Sequence, residues 1–160
     1  MAVYILDTCV IRELRYHFRA GIPAFDRMWE EIEEMISNSK IVFVKESFEE
    51  LSGQLKDDAN QEWLKIHKKF FTLPSNEECE IVAQLFLTKN FQDNVPGKHL
   101  RDGRPVADPF LVARAKAIGD EAVVVSREKY KPNAAKIPNM CEEFEVAYMD
   151  DAAFQALVLR

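Results

Sequence analysis

Apolar residues fall into two kinds of pattern along the chain, short unbroken runs and longer stripes at helical spacing. Val3 to Leu6, Ile41 to Val44 and Ala122 to Val125 are apolar runs with the length and β-branched content of buried strands. A weaker run, Phe144 to Tyr148, predicts a fourth strand. Between them Phe25, Met28, Trp29, Ile32, Met35 and Ile36 recur at helical spacing, as do Phe48, Leu51 and Leu55. Ile81, Val82, Leu85 and Phe86 form another stripe after an N-cap at Ser75 or Asn76. Phe110, Leu111, Ala113, Ala115 and Ile118 follow Asp108-Pro109, read as an N-cap residue with Pro at the first helical position. Asp150 to Leu159 predicts a packed terminal helix. Strands alternating with helices predict an α/β fold whose parallel sheet is covered on both faces. The stretch Asn90 to Pro105 is polar, without apolar period, and predicts a long surface loop of a length associated with function or mobility.

Composition narrows the class. With 160 residues, 48% hydrophobic and 30% charged, the chain has a globular balance and enough core for a single domain over 1–160, without structural disulfides or metal. The apolar runs are too short to span a bilayer, and no basic stretch precedes an apolar one at the N-terminus. Cys9, Cys79 and Cys141 are odd in number and far apart, which gives neither a disulfide framework nor a zinc knuckle. These features predict a reduced, cytoplasmic protein. The formal charge is −6 overall but unevenly spread. Asp26 to Glu62 carries eleven acids and four bases, whereas Gly97 to Lys136 carries nine bases and five acids. An acidic chain is a poor nonspecific ligand for nucleic acid, yet a local basic stretch can contact phosphates.

Candidate chemistry sits where strands end. In a parallel α/β sheet the carboxyl ends of the strands line the ligand crevice. Asp7 follows the first strand, Glu128 lies just past Val125-Ser126, and Asp108 opens a helix. Glu46, Glu49 and Glu50 are equal candidates on the helix after the second strand. Taken singly, Asp7 and Asp108 also fit plain helix caps, Glu50 a solvated surface acid and Glu128 an exposed acid in a charged turn. Taken together they offer several carboxylates to one crevice, which repel unless a cation joins them. An all-oxygen set selects hard Mg²⁺ or Mn²⁺ over zinc, and such a site supports phosphoryl displacement by water.

The opening Val3-Tyr4-Ile5-Leu6-Asp7-Thr8, the segment Phe48-Glu49-Glu50-Leu51, the run Ala107-Asp108-Pro109 to Ala115, and Val124-Val125-Ser126-Arg127-Glu128 resemble the PIN-domain nuclease superfamily. The resemblance covers nearly the whole chain. It is nearest to a prokaryotic PIN-like branch, related to VapC-type toxins, that also carries an Ile-Pro-x-x-Cys element, here Ile137 to Cys141. It implies a three-layer α/β/α sandwich with a central, mainly parallel sheet of four to five strands. It also implies Mg²⁺- or Mn²⁺-dependent endoribonuclease activity, as the toxin of a toxin–antitoxin pair. Carried over by position, the catalytic acids are Asp7, Glu50, Asp108 and Glu128, with Asp7, Asp108 and Glu128 as metal ligands and Thr8 and Ser126 as supporting hydroxyls. Many PIN nucleases place Asp in a Thr-x-Asp setting after the last catalytic strand, whereas this chain has Ser126-Arg127-Glu128. Lys98, Arg101, Arg104, Arg127 and Lys129 are expected to bind RNA phosphates. The partners implied are RNA, a cognate antitoxin reaching the acids with Arg or Lys, and a second copy in a homodimer, with no membrane.

Other chemistries fit less well. Cys9 to Arg15 has the Cys-x5-Arg spacing of phosphate-loop phosphatases, but the intervening residues hold no Gly and read as helix, with Cys9 a small buried hydrophobe. A haloacid-dehalogenase-type site needs Asp-x-Asp, and Asp7-Thr8-Cys9 lacks the second acid. His17, His67 and His99 show no paired ligand spacing, and His67 is read within a solvated or phosphate-facing Lys65 to Lys69 patch. Trp29 and Trp63 are assigned to core or dimer seam. The remaining alternative is a non-catalytic PIN-like module that binds protein.

Overall fold

The computed structural model describes residues 1–95 and 106–159. Five strands, β1 (Val3–Leu6), β2 (Ile41–Val44), β3 (Phe71–Thr72), β4 (Ala122–Ser126) and β5 (Ala147–Asp150), form one sheet in the order β3-β2-β1-β4-β5. Every pairing is parallel. Helices α1 (Thr8–His17), α2 (Pro23–Ser37), α3 (Lys45–Gln54), α4 (Asp58–His67), α5 (Asn76–Leu87), α6 (Asp108–Ile118), α7 (Ile137–Glu143) and α8 (Asp151–Val158) make the crossovers and the C-terminal cover. A short 3₁₀ turn, Phe91–Asn94, follows α5.

Side-chain alternation along each strand feeds two cores, because successive residues point to opposite faces. Leu6, Phe43 and Val125 face α1 to α4 and α8, while Ile5, Val44 and Val124 face α5, α6 and α7. The apolar stripe Met28, Trp29, Ile32, Met35 and Ile36 buries one face of α2 in the first core. Pro23 occupies the first turn of α2, where its fixed φ and missing N–H cost nothing. Ser75 and Glu78 form a reciprocal capping box that starts α5. The sheet and its two helical layers match the expected sandwich, with all strands parallel. No helix among the described residues is long and apolar enough to cross a membrane.

Two boundaries move. The fourth predicted strand begins at Ala147 rather than Phe144, because Phe144 ends α7 and Glu145 turns with φ 56°. Ala107, not Asp108, is the N-cap of α6, so Asp108 is its first residue and Pro109 lies one place further in. Both differences are local. The first follows from the turn at Glu145, which apolar runs do not encode, and the second from a helical backbone already present at Ala107.

Candidate active site

The strand order places the site. From β1 the chain moves to β2 and β3 on one side, then crosses to β4 on the other. The carboxyl ends of β1 and β4 therefore flank a topological switch point, where ligands of open α/β sheets bind. β1 and β4 are in register from Val3 with Ala122 to Leu6 with Val125, and the Asp7 N–H donates to the Val125 carbonyl at 3.0 Å. Asp7 is thereby fixed one residue past the sheet, and it is only 4% exposed.

Asp7 has the extended backbone of an N-cap residue, but its carboxylate does not cap α1. It accepts instead from Ser126 Oγ at 3.1 Å, and that hydroxyl accepts from the Glu128 backbone N–H at 3.1 Å. The Glu128 carboxylate accepts from the Ile137 N–H at 2.7 Å, at the start of α7. Glu50 accepts from Thr8 Oγ1 at 2.7 Å, which ties α3 to the first turn of α1. Asp108 does not cap α6, and it accepts from Asn94 Nδ2 at 3.1 Å. Among the three candidate glutamates of α3, Glu50 is the one hydrogen-bonded to Thr8, beside Asp7. Glu49 is exposed, and Glu46, one turn back, keeps a buried Oε1 with no partner among the described residues.

The four carboxylates share one field. Burial first, and then the charges of Asp108, Glu128 and Glu50, push Asp7 up to about 8 against the opposing hydrogen bond from Ser126. Glu50 rises to about 7 through burial, despite Thr8, with Asp108 and Glu46 adding repulsion. Asp108 rises to about 6 through burial and the charge of Glu128, with Asn94 and Lys136 opposing. Asp7 is buried and the other three acids are half-buried, and acids so placed need either a proton or a cation. Among the described residues no three of His, Cys, Asp and Glu form a closed coordination cage, so the acids are neighbours in a shared field rather than a ready-made shell. The donors nevertheless suit a hard divalent cation: all are oxygens, and the hydrogen-bond donors found at the acids are neutral groups.

The same field silences Cys9. Burial, and then the Asp7 charge, push its thiol up to about 11, opposite to the low value a nucleophilic thiolate requires. Its side chain is partly exposed rather than buried as expected.

The basic residues divide. Arg127 is engaged by Glu13 at 2.8 Å and Asp151 at 3.1 Å, and Lys129 lies 3.6 Å from Asp150. Lys98, Arg101 and Arg104 lie outside the described residues. His67 is not a solvated patch. It is 6% exposed, with Nε2 2.6 Å from Glu33 and Nδ1 2.7 Å from the Trp63 carbonyl. Burial of the aromatic face of α4 against α2 draws it in, and Trp29 and Trp63 lie in the core with it. A cleft of about 520 Å³ opens at the far end of α1, lined by Arg15, Arg19, Lys56 and Asp57. Its volume does not mark the chemistry, since its acid, Asp57, is spent capping α4. Asn94 is the residue at the acids that sequence patterning passed over. A polar residue in a stretch without period carries no signal until α6 brings Asp108 beside it.

A family model described as a domain of unknown function, DUF4411, matches residues 4–157. The chain belongs to the DUF4411 family. No curated protein matches it in sequence. A solved structure of VapBC2 from Rickettsia felis, bound to a DNA fragment from its promoter, aligns with a TM-score of 0.52 at 15% identity, covering 92% of this chain and 98% of that one. DNA-bound VapBC from Salmonella typhimurium aligns at 18% identity with a TM-score of 0.49, covering 94% of this chain and 99% of that one. The Rickettsia alignment shows that this DUF4411 chain shares the fold of that structure, in agreement with the PIN-like sandwich expected from the sequence.

Proposed function

We propose that this chain is a Mg²⁺- or Mn²⁺-dependent endoribonuclease and the toxin of a toxin–antitoxin pair. The observation that carries the reading is Asp7. It is a buried carboxylate at the switch point, raised to about 8 by burial and by three other acids, with the neutral Ser126 hydroxyl as its one side-chain hydrogen-bond partner among the described residues. A carboxylate kept in that state for packing alone would be replaced at no loss, so the cluster is best explained by what it binds.

Asp7, Asp108 and Glu128 would hold the cation, with Glu50 completing the acid set. When bound, the cation supplies an activated water and charge stabilisation for an in-line displacement at phosphorus. The chain's own part is positioning. Ser126 and Thr8 fix the rotamers of Asp7 and Glu50, and Asn94 holds Asp108. Glu50 takes or releases a proton most readily near neutral pH, because burial brings it to about 7. Lys98, Arg101 and Arg104 serve the RNA phosphates, and Arg127 and Lys129 join them by exchanging their present acidic partners for phosphate. A cognate antitoxin would reach the acids with Arg or Lys, forming charge-assisted hydrogen bonds, and the chain would act as a homodimer.

The deciding experiment is RNA cleavage with and without Mn²⁺, comparing wild type with Asp7→Asn and Asp108→Asn. Loss of each acid should lower kcat about 100-fold or more while the fold survives, the scale of losing one preorganised electrostatic group. Full activity in both variants overturns the nuclease reading. The toxin role is tested apart from it: strong expression should arrest growth in a way relieved by Asp7→Asn, and harmless expression of an active nuclease removes that role alone.

A further inference from the structure

We infer that Asn94 is a positioning residue of the acid site, one that registers Asp108 against the segment carrying Glu128. The inference rests on the metal-site reading above. Both amide protons of Asn94 are spent on acceptors from different parts of the chain, Asp108 Oδ2 at 3.1 Å and the Ala135 carbonyl at 3.0 Å. These two acceptors fix which end of the amide is nitrogen, since a flipped group would set oxygen against oxygen twice. The price is a buried Oδ1 with no donor among the described residues. The orientation is set jointly by the Asp108 carboxylate and the Ala135 carbonyl.

The second acceptor connects the two acids. Ala135 lies two residues before Ile137, whose N–H is held by Glu128 at 2.7 Å. One amide therefore bridges Asp108, at the start of α6, to the loop that Glu128 closes. Asn94 is neutral, so it orients a carboxylate without compensating its charge and leaves that charge for a cation. Partners of this kind, one step behind the ligands, change metal affinity or activity about 10–100-fold when removed.

A neighbour in the same turn provides the control. Asn90 Nδ2 donates to the Asn133 carbonyl at 2.8 Å, so it clamps the same loop without touching an acid. The experiment is direct Mn²⁺ titration of the full chain by calorimetry or electron paramagnetic resonance. It compares wild type, Asn94→Ala, Asn94→Leu, Asn90→Ala and Asp108→Asn, with melting of the metal-free proteins as the check on folding. Both Asn94 variants should bind Mn²⁺ about 10–100-fold more weakly and lose kcat with little change in KM, one leaving a space and the other filling it. Asn90→Ala should bind Mn²⁺ as wild type does. Wild-type affinity in either folded Asn94 variant, or an equal loss in Asn90→Ala, overturns the inference. If Asp108→Asn alone weakens binding, the metal site stands and only the role of Asn94 falls. If Asp108→Asn also binds normally, the metal site falls and the inference goes with it.

Discussion

Two clusters of charge meet on α6, and they are built on opposite logic. Arg114 on α6 is 7% exposed and spends all five of its N–H donors. Nε bonds Glu78 at 2.6 Å, Nη1 bonds the Phe43 carbonyl and Thr72 Oγ1, and Nη2 bonds the Thr72 and Leu73 carbonyls. Glu78 spends its other oxygen on the Ser75 cap. This latch fastens α6 and α5 to the ends of β2 and β3, with its two opposite charges paired. At the start of α6, Asp108 joins Asp7, Glu50 and Glu128, four acids whose hydrogen-bond donors are neutral. Buried charge that supports a fold is paired and saturated. Charge that is repelled and underpaired is, on the function proposed above, there to meet a cation.

The contrast can be broken at its stable end first. Arg114→Ala leaves Glu78 buried without its cation and four acceptors without a donor, so it should cost about 3–5 kcal/mol, read as a lowered urea midpoint. Asp7→Asn in metal-free protein should cost nothing or stabilise, because it removes the acid whose ionised form burial and its neighbours disfavour most. An equal loss in the two variants would mean that the acids are structural like the latch.

A smaller effect separates the clusters by pH. Asp7 is raised in the folded protein from 3.8 to about 8, with Asp108 and Glu50 raised to about 6 and 7. Between the unfolded and folded values the native state holds protons that the unfolded chain has released. Stability conferred by these groups is therefore present at low pH and is lost as pH rises from about 4 towards 8. Metal-free wild type should lose stability over that window, and Asp7→Asn should show a shallower fall. A flat profile in the wild type would mean that neither burial nor repulsion raises these acids.

The strands bearing this contrast were legible in the sequence for a simple reason. β1, β2 and β4 are central, so both their faces are buried and their residues read as unbroken apolar runs. β3 is an edge pair of two residues, Phe71 and Thr72, and two residues make no run. β5 is the other edge, with Ala147 and Tyr148 exposed, so its apolar signal shifted onto Phe144 and Val146 in the turn before it. Asp7, Asp108 and Glu128 were visible because strand ends and helix starts can be placed from such runs. Glu50 was not separable from Glu46 and Glu49 until Thr8 came within 2.7 Å of it. His67 was misjudged because its flanking lysines suggested a surface, while the burial of Trp63 one turn earlier could not be seen from the local charge pattern. Asn94 gave no signal, since its meaning lies wholly in contacts made to residues 108 and 135.

The smallest expected effect tests where the two logics meet in a single side chain. Glu128 belongs to the acid set, yet its Oε2 also takes the Ile137 N–H and so serves the first turn of α7, whose own N-cap residue, Lys136, offers no side-chain bond. Glu128→Gln keeps an oxygen for that N–H and removes the charge, so it should leave stability nearly unchanged while weakening Mn²⁺ binding. Glu128→Ala removes both and should cost a further ~1 kcal/mol of stability, the scale of a lost helix cap. Paired urea and Mn²⁺ titrations of the two variants separate the roles. If Gln and Ala lower stability equally and neither changes Mn²⁺ affinity, Glu128 belongs with the latch at Arg114 rather than with Asp7. If Gln alone spares the fold while both lose metal, the carboxylate is shared between the two, and the Ser126-Arg127-Glu128 turn uses the longer side chain to reach both.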